Sequence, residues 1–208
     1  MWACALLLCF SQVSQVSRAA DLKQLNVERA EDGVYLSAVV NFELPAAVED
    51  ALSKGIAMFF VAEADVYQNR WYWSDRRVAS ATRTIRLAFQ PLTRRWRVNI
   101  ANGLINSVGL RATLNQNYES LPEAMSAVQR LSRWRIADNA EIEADGNHRI
   151  EFNFNLDLSQ LPRPFQIGVV GQKDWAVSVQ HNERLQLGAF KPVDKAKSLA
   201  PPAKEADK

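Results

Sequence analysis

The sequence predicts a mainly β fold: an antiparallel β-sandwich, immunoglobulin-like in general shape, with two short helical insertions. Three observations carry this expectation. Apolar residues recur at every second position in several separate runs, turn-forming residues punctuate those runs, and only two segments show helical periodicity. An α+β fold with one sheet and two helices is the alternative. With 48% hydrophobic residues in 208, the chain is long enough to bury a proper core within one domain.

The first run to alternate is "GVYLSAVVNFEL", where Val34, Leu36, Ala38, Val40 and Phe42 fall on one face and Tyr35, Ser37, Val39 and Asn41 on the other. Next, "LPAAVEDALSKG" has Pro45 in its first turn and Lys54 and Gly55 at its end, the start and stop signals of a helix. "IAMFFVAEADVY" lacks clean alternation at its start, which predicts a strand covered on both faces. "RWYWSDRRV" spaces Trp71 and Trp73 two apart, so a strand here would turn both tryptophans to the core and Arg70 and Tyr72 to the outside. "TIRLAF" and "RWRVNI" flank "QPLTR", whose Pro91 and polar residues predict a hairpin.

Further on, "SLPEAMSAVQRLSRW" reads as a helix of about three turns. Ser120 and Glu123 have capping-box spacing, Pro122 falls just inside, and Leu121, Met125, Val128 and Leu131 form an apolar stripe. "RIEFNFNLDL" alternates again, with Ile150, Phe152, Phe154 and Leu156 on one face. In "LPRPFQI", Pro162 and Pro164 predict an extended connection that cannot be a central strand, with Phe165 and Ile167 re-entering the core. "WAVSVQ" then places Trp175, Val177 and Val179 together. The strand count approaches eight or nine.

The ends differ from this middle. "MWACALLLCF" is apolar yet shorter than the roughly 20 residues a membrane span needs, and "SRA" at Ser17 to Ala19 has the small residues a signal peptidase reads. Residues 1–19 are therefore expected to be a secretory signal peptide. The alternative is an uncleaved anchor, because no Lys or Arg precedes the apolar run, and membrane contact is expected only in that case. Both cysteines, Cys4 and Cys9, lie in this leader, so a cleaved chain would use neither disulfide nor thiolate chemistry. Residues 20–190 are expected to form the single β-rich domain. From Lys191 onward the Lys, Ala and Pro content predicts a disordered tail, residues 191–208.

Catalytic constellations are scarce. His148 and His181 are the only histidines, each expected in a loop or at a strand end. "DNAEIEADG" gathers four carboxylates without calcium-loop spacing. No HExxH, G-x-S-x-G or P-loop occurs, so no catalytic residue, metal ligand or cofactor-binding residue is nominated. A hydrolase built on carboxylates or histidine is the least favoured function.

Charge is more informative. Residues 70–97 hold eight arginines against Asp75, a formal +7, whereas residues 21–66 hold nine acids against Lys23, Arg29 and Lys54, a formal −6. If the acidic and basic strands are neighbours, they neutralise each other. If they are not, an arginine-rich patch is left to meet carboxylates or phosphates. Arg86 is expected to face outward, and Arg95 and Arg97 to share a face opposite Trp96; the candidate interaction surface is Arg70, Tyr72, Arg86, Arg95 and Arg97. Nucleic acid is not an expected partner, since the whole chain carries only a formal +2. The expected partner is an envelope protein, with an anionic glycan or lipid head group as the alternative.

The leader, the early "GVYLSAVVNFELP", the "W-x-W-S-D" stretch, the "R-R-W-R-V" strand and "LPRPFQI" together resemble a family of small exported proteins, mainly of betaproteobacteria, catalogued as domain of unknown function 4390. The resemblance implies a periplasmic or membrane-anchored protein and transfers no activity or cofactor. Members are often encoded near a sensor histidine kinase, so it also implies a role accessory to envelope signalling, with a sensor kinase ectodomain as the partner.

Overall fold

In the computed structural model of the chain, the structure describes residues 20–72, 74–103, 114–142, 147–163 and 175–185. The expected signal peptide and tail, Trp73, and Pro164 through Ile167 lie outside the described residues. Among the described residues the architecture is mainly β, with two antiparallel sheets. The smaller sheet has the order β1-β2-β7, from β1 (Asp21–Ala30), β2 (Gly33–Asn41) and β7 (Arg130–Ala137). The larger has the order β6-β5-β4-β3-β8-β9. Its strands are β3 (Met58–Gln68), β4 (Arg76–Gln90), β5 (Arg95–Asn102), β6 (Leu114–Tyr118), β8 (His148–Leu156) and β9 (Ser178–Leu185). Two sheets rather than one set aside the single-sheet alternative.

Alternation explains how the layers meet. Val34, Leu36, Ala38, Val40 and Phe42 from the small sheet, and Ile150, Phe152, Phe154 and Leu156 from the large one, are buried in one continuous core. Phe42, Phe60 and Phe154 pack with ring centroids 5.5–5.8 Å apart, linking the layers through aromatic contacts. On β3 the inward set is Met58, Phe60, Ala62, Ala64 and Val66, so this strand does alternate. Its opposite face is only partly covered: Val61 is buried, but Phe59, Glu63 and Asp65 are half-exposed.

Helix α1 (Ala46–Ser53) follows Pro45 at its N-cap and buries Val48, Ala51 and Leu52. Helix α2 (Leu121–Val128) is capped by the Ser120 hydroxyl, which accepts the Glu123 N–H at 3.4 Å, while the Glu123 carboxylate accepts from the Glu119 N–H at 3.3 Å. It is shorter than its periodicity predicts. Leu131 continues the stripe at helical spacing, but residues 130–137 pair with β2, and that ladder ends the helix at Val128.

The stretch "RWYWSDRR" is not a strand. β3 ends at Gln68 and β4 begins at Arg76, so residues 69–75 form the connecting loop, and Trp71 is 93% exposed and Tyr72 66%. The core-facing expectation for Trp71 is thus overturned. The loop's base is instead tied down: Arg149 donates to Asp75 at 2.9 Å and stacks on Tyr67 at 4.3 Å, and the Asn69 N–H donates to the Asn147 carbonyl at 2.9 Å. His181 lies inside β9 rather than beyond a strand, 3.4 Å from Glu183, while His148 opens β8 and is buried.

The β1–β2 turn closes tightly on β7. A Cβ added at Gly33 would lie 2.6 Å from the Ala137 carbonyl oxygen and 2.7 Å from Arg135 Nε. Backbone at that distance has little room to yield. Gly33→Ala is expected to cost about 1–3 kcal/mol, read as a lower denaturant midpoint; an unchanged midpoint would mean that β2 and β7 part easily here.

Candidate functional site: the outer face of the large sheet

Antiparallel partners share a face, so the register sorts the large sheet's side chains into an inner and an outer set. The inner side meets the small sheet, with β7 over β4 and β1 near β9, while α2 packs beside β5 and β6. The outer side holds buried residues of its own, Val61, Thr84, Ala88 and Ala101. It carries Arg86 opposite Phe59 and Asn99, Arg97 opposite Ala88 and Asn117, and Arg95 opposite Gln90.

Three of the five expected surface residues are therefore brought together. The hairpin turn, residues 91–94, sets this register, with Arg94 at φ 51° completing the reversal. Arg70 and Tyr72 are not part of the patch. They sit at the far end of β4, and the ten-residue rise from Arg76 to Arg86 alone spans roughly 33 Å.

Within the patch, Arg86 and Arg97 are diagonal neighbours with the small Ala88 between them. Arg86 reaches Asn99 Oδ1 at 3.5 Å and lies 6.0 Å from the Phe59 ring centroid. Arg97 donates to Asn117 Oδ1 at 3.2 Å. The Gln90 amide oxygen, turned toward Arg97, lies 3.1 Å from Nη1, 3.2 Å from Nη2 and 3.3 Å from Nε. Burial, and then repulsion from Arg97, lower the Arg86 pKa. Arg95 is 3.7 Å from Glu119, and both side chains are exposed. Among the described residues, no carboxylate lies within ion-pair distance of Arg86 or Arg97.

Charge segregation thus resolves strand by strand. Arg77, on β4 beside β3, meets Asp65 at 3.7 Å, whereas Arg86, farther along the same strand, faces Phe59. Arg83 has the opposite parity and points inward, its guanidinium 5.2 Å from the Trp134 ring centroid. Burial pulls its pKa down to about 10, so it stays charged at neutral pH. A cation held there with no carboxylate partner among the described residues is a cost to folding. Arg83→Met is expected to raise the unfolding free energy by about 1 kcal/mol, with a clear loss as the contrary result.

The other half of the outer face is acidic. A depression of about 470 Å³ is lined by Glu63, Asp65, Glu151, Asn153, Gln180 and Asn182, among others. Its carboxylates have partners: Asp65 meets Arg77, Glu151 meets Arg149, and Glu63 accepts from Asn153 at 3.3 Å. Among the described residues, no group of three His, Cys, Asp or Glu could hold a metal ion, and no helix is long and apolar enough to cross a membrane.

Sequence reasoning missed the amides Gln90, Asn99 and Asn117. Asn99 shares its parity with Arg95 and Arg97 and was there to be read. Asn117 lies in "LNQNY", an edge strand with little apolar patterning, so its placement depends on pairing with β5.

Fold and site together define a two-sheet β-sandwich that carries a basic and an acidic half on the outer face of its larger sheet. The chain belongs to the family of the domain of unknown function (DUF4390), which it matches over residues 17–184. No curated protein and no solved structure matches it.

Proposed function

We propose that this protein is an exported, non-enzymatic interaction module of the cell envelope that engages a protein partner through the arginine face of β4 and β5. One observation carries the reading: Arg86 and Arg97 stand side by side, partly buried, and their described hydrogen-bond acceptors are amide oxygens. Adjacent like charges repel, and an arrangement of this kind is relieved by an acidic group from another molecule. Arg95 and the hairpin turn extend the face. The apolar leader at residues 1–19 supports export, and a sensor kinase ectodomain is the partner suggested by the family resemblance. An anionic glycan or lipid head group is the second reading, since the same arginines would serve it.

Affinity capture from envelope extract tests this. Full-length protein is compared with the Arg86→Gln/Arg95→Gln/Arg97→Gln variant, at low salt and at about 1 M, where the screening length falls to about 3 Å. One protein is expected with the parent, at least tenfold depleted with the variant and weakened by salt. Equal recovery by the variant contradicts the reading; salt-sensitive binding of glycan or lipid without protein replaces it with the second.

A further inference from the structure

We infer that Arg86 and Arg97 form an oxyanion-binding site, which takes a single phosphoryl or carboxylate group between their guanidinium forks above Ala88. The inference rests on the proposed arginine face and specifies what that face recognises. Diagonal neighbours on one sheet face stand about 7–8 Å apart, within reach of a shared group for two long side chains. The pair offers ten N–H donors, of which the described protein acceptors engage fewer than half. Those acceptors hold the forks from the flanks: Asn99 engages Arg86, and Asn117 and Gln90 engage Arg97. Ala88, itself buried, places no long side chain between them.

Charge points the same way. Arg95, two residues from Arg97 on the same face, adds a cation whose only carboxylate contact among the described residues is the exposed Glu119. Partial burial lowers the local dielectric, which strengthens attraction to an entering anion. A guanidinium fork binds carboxylate or phosphate oxygens in pairs, a geometry that lysine cannot supply.

Titration of the full-length protein with inorganic phosphate and, separately, with acetate at constant ionic strength tests the site. The readout is the Nε–H signals of ¹⁵N-labelled arginine, assigned through Arg86→Gln and Arg97→Gln. Saturable movement of these two signals is expected with at least one anion. Affinity should fall at least tenfold in either variant and stay unchanged in Arg70→Gln at the far end of the sheet. A response to acetate identifies a carboxylate source such as a protein side chain; a response to phosphate alone identifies a phosphoryl source. Absence of saturation with both anions, or equal responses in parent and variants, overturns the inference. If neither anion binds while partner capture still depends on Arg86 and Arg97, the oxyanion site fails and the interaction reading stands. If an anion binds while capture ignores both arginines, the reverse holds.

Discussion

Replacing Trp134 by alanine is expected to lower the unfolding free energy by about 3–5 kcal/mol, a large part of the stability of a domain this size. Trp134 is the largest fully buried side chain and projects from β7 between the sheets. Its loss removes buried area from both layers and leaves a cavity that the flanking strands cannot fill. The Arg83 guanidinium would also lose the ring against which it rests. Chemical denaturation is the appropriate measurement, and Trp134→Phe, which preserves an aromatic ring, should lose clearly less. A loss below about 1 kcal/mol for the alanine variant would mean that the two sheets do not close over this residue.

The Arg86→Gln/Arg97→Gln variant should behave in the opposite way. Partner binding is expected to weaken by about two orders of magnitude or more, since arginine is enriched among the few interface residues whose truncation costs about 2 kcal/mol or more. Folding stability should be unchanged or slightly higher. No carboxylate among the described residues loses its partner, the repulsion between the two cations disappears, and glutamine can still donate to Asn99 and Asn117. Circular dichroism and denaturant melts beside the binding assay separate the two effects. A marked loss of stability would make these arginines structural.

Much of this was legible in the sequence because strand parity is local. The inward sets of β2 and β8, the hairpin at residues 91–94, the Ser120 cap, and the shared outer face of Arg86, Arg95 and Arg97 all follow from spacing alone. Parity fails when the element itself is misread. Trp71 and Trp73 have strand spacing, but Asn69, Ser74 and Asp75 are turn formers, and Arg149, 74 positions beyond Asp75, ties the loop at its base. That contact has no local signature. Leu131 has helical spacing yet lies in β7, because pairing with residues of β2 nearly a hundred positions earlier outweighs the local pattern. The same limit applies to the site: the direction of Arg86 can be read from its neighbours, but facing Phe59 rather than an acid depends on the register of β3 against β4.

Site-specific photo-crosslinking in living cells bears most directly on the central claim. A photoreactive residue at the exposed Asn115, opposite Asn99 on the arginine half, is compared with one at Asn182 on the acidic half of the same face. Asn115 is expected to yield a discrete adduct that disappears when Arg86 and Arg97 are changed to glutamine, and Asn182 to yield none. An adduct from Asn182 alone, or one from Asn115 that persists without the arginines, would contradict the assignment of the arginine face as the docking surface.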